Sequence, residues 1–215
     1  MKDAIISTDV DVILLDIDGT IKDLVKEHSE ALIVTVNGFV HGKNLRKKFV
    51  FFLDRIAMSM VKSGVFSTNK RKQRFLLGLY AFILGMNKKE FCKLYDVFYS
   101  EQLIIFSNVK EMLEDALRKK QVYLVTINSQ NYNLENLDVP REDIICAARF
   151  NNKLDAYKKV VFEKRISPAR VLVVGDNLVD DIIPAEKLGF KYLLVDNYNS
   201  KFKRFVAKIF KVGIA

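Results

Sequence analysis

Only two cysteines, Cys92 and Cys146, occur among 215 residues. Two widely separated thiols cannot form a disulfide framework in a chain of this length, and they are expected to be buried thiols in a reducing compartment. Histidine is equally sparse: His28 and His41 are the only two, and neither stands at ligand spacing from a cysteine, which excludes a zinc site. Three prolines and nine glycines leave little material for long disordered tails. Long apolar runs are missing as well. The longest uncharged stretch, Phe75–Met86, has 12 residues, where about 20 are needed to span a bilayer. Asp9, Asp11, Asp16 and Asp18 interrupt the N-terminal apolar residues and no small-residue cleavage site follows, so no signal peptide is read there. A soluble, cytoplasmic protein is expected.

Half of the residues are hydrophobic, enough for one large domain or one domain with a smaller insert. The net charge of +9 is unevenly spread. Between Lys43 and Lys93 there are thirteen basic residues and two acids, Asp54 and Glu90, a local +11 that leaves the remainder slightly acidic. One strongly basic segment set into a near-neutral body points to an anionic partner or surface.

Hydrophobic patterning divides the chain the same way. Val12–Leu15 is a short continuous apolar run, as expected of a strand covered on both faces. Gln121–Asn128, Ala169–Asn177 and Lys191–Asn197 look alike, and Asp143–Arg149 is a shorter fifth candidate. Helical spacing lies between them. Val109, Met112, Leu113, Ala116 and Leu117 fit one helix face, with Ser107 or Asn108 as its cap. Leu154, Tyr157, Val160, Val161 and Lys164 fit another. A third opens at Asp180 or Asp181 and closes at Gly189. Strands alternating with helices mean a parallel α/β sheet. Residues 22–106 break the rhythm and read as helices over Lys43–Ser63, Lys70–Gly85 and Lys88–Phe106, the last capped by Asn87. Ala31–Val36 is left open between strand and helix. The expected division is a core of residues 1–21 and 107–215 and an inserted basic helical lid of residues 22–106.

Ligands of open parallel sheets bind beyond the carboxyl ends of the strands. There the sequence places Asp16 and Asp18 after the first strand. Thr126, Asn128 and Ser129 follow the second, and Gly175, Asp176 and Asn177 the fourth, with Asp180 and Asp181 close behind. Lys153 precedes the helix that feeds that strand, with Lys158 and Lys159 as rivals. Carboxylates converging on one point repel one another unless a cation sits among them. An all-oxygen donor set suits Mg²⁺.

The set DIDGT (Asp16–Thr20), the strand-ending Thr126, Lys153, and GDNLVDD (Gly175–Asp181) resembles the haloacid dehalogenase-like superfamily, in the family's order and over most of the chain. The resemblance implies a three-layer, Rossmann-like core and a helical cap inserted after the first motif, the branch that includes phosphoserine phosphatases. It also implies roles. Asp16 would be the nucleophile that forms an aspartyl-phosphate, and Asp18 the general acid and then base. Asp16, the backbone carbonyl of Asp18, and Asp176 would hold Mg²⁺. Thr126 and a neighbouring backbone N–H, at Ile127, would hold phosphoryl oxygens. Lys153 would neutralise charge, and Asp180 would orient Lys153 or metal-bound water. The family's dehalogenases lack an acid at the position of Asp18, and its P-type pumps carry lysine there. The expected activity is therefore Mg²⁺-dependent phosphomonoester hydrolysis. Its rivals are a phosphomutase using the same residues and a regulatory module bound to a membrane surface.

The partner is expected to be a small or medium phosphorylated substrate, polyanionic or lipid-linked if the basic segment contacts it. Lys70, Arg71, Lys72 and Arg74 form either a solvated helix face or such a contact. In Ser200–Ala215, Phe202, Phe205, Val206, Ile209 and Phe210 recur at helical spacing among five basic residues. That reads as a last helix packed on the sheet or as an interfacial helix on anionic lipid, peripheral to a membrane. No base-reading module is present, so specific nucleic-acid recognition is not expected.

Overall fold

The computed structural model describes residues 9–62, 70–100, 104–127, 143–147, 150 and 152–198. The C-terminal amphipathic segment, Asn128 and Ser129 lie outside them. Two compact units emerge: Met1–Asp23 with Ile105–Ala215, and Leu24–Ile104.

Among the described residues, the first unit holds a five-stranded, all-parallel sheet in the order β3-β2-β1-β4-β5. The strands are β1 (Val12–Asp16), β2 (Gln121–Thr126), β3 (Ile144–Cys146), β4 (Val171–Gly175) and β5 (Lys191–Leu194). β1 is central, and every residue of β1 and β4 is buried, which is why both read as unbroken apolar runs rather than alternating ones. Asp16 pairs in register with Val125, so the first acid stands level with the end of β2. Arg170 grips Asp11 through Nε and Nη2, and the Asp11 N–H donates to the Arg170 carbonyl at 2.9 Å, which ties the entries of β1 and β4 together.

The helices of this unit are α5 (Ser107–Lys119), α6 (Lys153–Lys164) and the short α7 (Ile183–Lys187), preceded by a π-helical turn over Leu178–Ile182. Two capping expectations are corrected. Phe106, without a side-chain bond, occupies the cap position of α5, and Ser107 is already its first residue. Neither Asp180 nor Asp181 caps the π-turn. Asn177 does, accepting from the N–H groups of Val179 at 2.9 Å and Asp180 at 3.1 Å.

The second unit is helical: α1 (Leu24–Phe39), α2 (Asn44–Lys62), α3 (Lys70–Leu84) and α4 (Lys88–Ser100). Ala31–Val36 lies inside α1. Its buried residues, Ala31, Leu32, Thr35 and Val36, follow helical spacing, while Ile33 and Val34 face outward; a strand would have alternated. Asn87 caps α4 by accepting from Lys89 at 2.9 Å and Glu90 at 3.2 Å. The described helix runs to Ser100 and does not extend to Phe106 as expected: Ile105 pairs with Lys22, and the Phe106 N–H donates to the Ile21 carbonyl at 3.0 Å.

A polar network runs through the core of this unit. His28 on α1 meets the Tyr95 hydroxyl at 2.7 Å and an Asp54 carboxylate oxygen at 2.8 Å. Tyr80 donates to the same Asp54 oxygen at 3.2 Å, and Gln73 donates to Tyr95 at 3.1 Å. All four helices contribute. Around it pack Leu32, Val36, Val50, Leu77, Leu84 and Phe91.

Candidate active site

β1 ends in Asp16, and the chain turns within the next six residues. Gly19 makes the turn possible at φ +87°, a region hostile to any Cβ. Its N–H donates to the Lys22 carbonyl at 2.9 Å, and the N–H groups of Ile21 and Lys22 both donate to the Ile17 carbonyl. Asn197, just beyond β5, donates to the carbonyls of Gly19 at 3.1 Å and Thr20 at 2.8 Å, pinning the loop from the other side.

Asp16 is 5 % exposed. Thr20 donates to one of its oxygens at 2.9 Å, and the Lys153 ammonium donates to the other. Lys153 also donates to Asp181, so one buried ammonium bridges two carboxylates. Its position is set locally. Asn152 caps α6 by accepting from the Asp155 N–H at 3.0 Å, which makes Lys153 the first helical residue and turns its side chain inward. The rivals Lys158 and Lys159 are exposed.

Burial pushes the Asp16 carboxyl well above the usual carboxylate range. Asp181, Asp176 and Asp18 add to the rise against the opposing charge of Lys153. For Lys153, burial alone would lower the ammonium. The charges of Asp16 and Asp181 outweigh it and hold the lysine well above its ordinary value. The lysine is thus held in its charged form, and positive charge added beside Asp16 would favour its carboxylate.

Asp18 is half-buried, and Thr126 at the end of β2 donates to it at 3.3 Å. The next residue, Ile127, leaves its side chain 43 % exposed. Asp176 follows β4, and an imagined Cβ on Gly19 would lie 2.6 Å from its carboxylate. Gly19 thus serves both the turn and the close approach of Asp176.

The structure brings together Asp16, Asp18, Thr126, Lys153 and Asp176. It assigns the contact with Lys153 to Asp181, where the sequence pointed to Asp180. Asp181 is fully buried, while Asp180 is half-buried on the neighbouring position of the π-turn. Gly175 makes room for Asp181, since a Cβ there would stand 2.3 Å from its carboxylate. Both oxygens of Asp181 are engaged: one takes Lys153 and the Tyr157 hydroxyl at 3.4 Å, the other the Asn177 N–H at 3.1 Å. The other side chains missed by sequence reasoning are Thr20, Tyr157 and Asn197. Gly175, a glycine closing a buried strand, was the one visible sign of close approach there.

Carboxylate oxygens of Asp16, Asp176 and Asp181 lie within 4.8 Å of one another. Such an all-oxygen set, three carboxylates facing a single lysine, fits a hard divalent cation. Asp16 and Asp181 each already accept donors on both oxygens, so either could contribute a ligand atom only through a lone pair those donors leave.

Similar proteins share this architecture. A predicted phosphoglycolate phosphatase from Haemophilus somnus 129PT superposes with a TM-score of 0.62 at 15 % identity, over 92 % of this chain and 91 % of its own. The HAD-hydrolase YfnB from Bacillus subtilis, solved bound to magnesium, gives 0.61 at 16 %, over 94 % and 99 %. A β-phosphoglucomutase-like protein from Thermotoga maritima gives 0.61 at 17 %, over 86 % and 85 %. No curated protein sequence matches. The family model of haloacid dehalogenase-like hydrolases matches residues 13–195, a span that starts inside β1 and runs just past β5. A match of that length, on the same fold, places the chain in the haloacid dehalogenase-like hydrolase family.

Proposed function

We propose that this hydrolase is a Mg²⁺-dependent phosphatase that cleaves a phosphomonoester through an aspartyl-phosphate on Asp16. The observation that carries the reading is Asp18. A halide leaves as a stable anion and needs no proton, whereas an alkoxide leaving from phosphorus does. A carboxyl two residues after Asp16, with its oxygen held by Thr126, supplies one.

An Asp16 oxygen attacks phosphorus, and the bond to the ester oxygen breaks as Asp18 gives that oxygen its proton. Asp18, now a carboxylate, takes a proton from water as the water oxygen attacks the phosphorus of the aspartyl-phosphate, which frees Asp16 and releases phosphate. Thr20 and Lys153 fix the two Asp16 oxygens and limit the rotation that would misdirect the attack. Lys153 also offsets negative charge on the transferring group. Asp181 holds Lys153 in place. Asp16, Asp176 and the backbone carbonyl of Asp18 would hold Mg²⁺, which when bound supplies further positive charge toward the phosphoryl oxygens. The N–H of Ile127 and the hydroxyl of Thr126 would bind those oxygens, and Asp180 would face metal-bound water.

Phosphate release from a panel of sugar, amino-acid, nucleotide and lipid phosphates, with and without Mg²⁺, tests the reading. Metal-dependent release that falls at least about 10³-fold in Asp16→Asn is the expected result. Phosphate that stays on the sugar, moved between its oxygens, would make the chain a mutase. Halide release from a haloacid without phosphate release would overturn the reading.

A further inference from the structure

Helix α2 is apolar on both sides. Val50, Asp54 and Met58 form its buried face. Almost opposite stand Leu45 at 82 % exposure, Phe49 at 50 %, Phe52 at 57 %, Ile56 at 43 % and Met60 at 45 %. Their spacing of four, three, four and four puts all five on one outward stripe of the helix. Packing inside the helical unit explains the first face, and it does not account for the exposure of Leu45, Phe49, Phe52 and Ile56 on the second. The neighbouring α3 repeats the pattern: Leu77, Tyr80, Ala81 and Leu84 point inward, while Phe75 at 72 % and Phe82 at 81 % point out, with Leu79 between them at 39 %. Lys43, just before α2, donates to the Leu84 carbonyl at the end of α3, so the two helices run antiparallel.

Charge identifies what such a surface accepts. On a helical projection Lys48 and Arg55 flank the α2 stripe on one side and Arg46 on the other. Arg71 and Lys72 flank the stripe on α3. Across the two helices the only acid is Asp54, buried on the inner face and bonded to His28 and Tyr80. The outer surfaces of both helices are therefore aromatic and aliphatic stripes edged by cations alone. A second copy docking the same face would bring like charges together with no acids to pair them. Residues 199–215 offer an amphipathic segment, but it too carries only basic charges, Lys201, Lys203, Arg204, Lys208 and Lys211. No helix among the described residues is long and apolar enough to cross a membrane. A surface of this kind fits contact in the plane of a membrane, with side chains entering the headgroup region and cations meeting anionic lipid.

We propose that the outer faces of α2 and α3 form a docking surface for an anionic lipid bilayer. The proposal does not depend on the phosphatase reading. The stripe inserts through Leu45, Phe49, Phe52 and Ile56 on α2 and Phe75 and Phe82 on α3, and the flanking lysines and arginines give affinity that weakens with salt.

Co-sedimentation of the full chain with phosphatidylcholine vesicles containing about one-third phosphatidylserine, against vesicles of phosphatidylcholine alone, tests it. Three variants accompany the wild type: Phe49→Ser with Phe52→Ser, Lys48→Glu with Arg55→Glu, and a truncation after Asn199. Circular dichroism melts establish that each is folded, and light scattering gives the oligomeric state. The expected result is binding to the anionic vesicles only, reduced at least about tenfold by either α2 pair and by high salt, and retained by the truncation. The Lys48/Arg55 pair lies on exposed positions, so it keeps the test decisive if the phenylalanine pair unfolds. Absence of binding, equal binding to neutral vesicles, or binding lost only in the truncation would overturn the proposal. So would self-association that the phenylalanine pair abolishes without any vesicle binding, which would make a second copy the occupant.

Discussion

Lys153 is shared between Asp16 and Asp181, so its position depends on a residue that lies one step of helix phase from Asp180, a neighbour of the same type. Asp181→Asn keeps the size of the side chain but removes one of the two charges that hold the ammonium. The expected outcome is a fall in kcat of about 10²-fold, the size associated with losing one oriented electrostatic group, while Asp180→Asn, which leaves both charges on Lys153 in place, lowers kcat by a smaller factor, about tenfold at most. Steady-state phosphate release by the two variants separates them, and equal losses would deny Asp181 its special place. Gly19 gives a second residue-scale prediction. Alanine there meets both a hostile φ and the Asp176 carboxylate, so Gly19→Ala should destabilise the fold by about 1–3 kcal/mol and weaken Mg²⁺ binding measured by calorimetry. Asp16, Asp18, Thr126, Lys153 and Asp176 were legible because strand ends in a parallel sheet converge and each of these residues ends or follows a buried element. Asp181 was not, because Asp180 and Asp181 are chemically identical and the π-turn, which fixes the phase, leaves no mark in composition.

Elements were legible where burial is two-sided or capping is local. β1 and β4 are buried throughout and had no alternative reading. α1 was ambiguous because Ala31–Val36 mixes β-branched residues with a helical burial pattern that only its neighbours reveal. The His28–Asp54–Tyr80–Tyr95 network was invisible, since its members stand on four helices and share no spacing. Asp54 is the partner that His28 and Tyr80 share. Asp54→Ala leaves His28 and Tyr80 buried without their acceptor and should cost about 3 kcal/mol in urea unfolding. A change below about 1 kcal/mol would mean that the network contributes little. The β1–β4 clip predicts a pH dependence. The hydrogen bond and charge of Arg170 lower the Asp11 carboxyl below its ordinary value of 3.8. A lowered folded value contributes stability that is present above 3.8 and lost as pH falls through the lower, folded value. Arg170→Gln should therefore be less stable than wild type at neutral pH, by a small margin set by solvent exposure, and the two should converge in strong acid.

At the scale of the molecule, the chain builds two cores from an interrupted sequence. The cluster around Leu32, Val36, Leu77, Tyr80 and Phe91 lies wholly within residues 24–104, and the cluster of Val12, Leu14, Val125, Tyr157, Val171 and Val173 wholly within the sheet unit. Lys22 pairs with Ile105, so the chain closes its own loop before the insert begins and after it ends. Ordering a helical insert then costs the sheet unit little beyond loop closure, which grows only slowly with length. Each unit should consequently fold from its own burial and hydrogen bonds. An excised segment of residues 24–104 has the size of a small independent domain, its own apolar core and a satisfied polar network. It should show helical circular dichroism and a cooperative melt, and Asp54→Ala should lower that melt as it does in the full chain. An excised segment without helical signal would mean that the insert relies on the rest of the chain, and the outer stripes of α2 and α3 would then have to be tested only in the full-length protein.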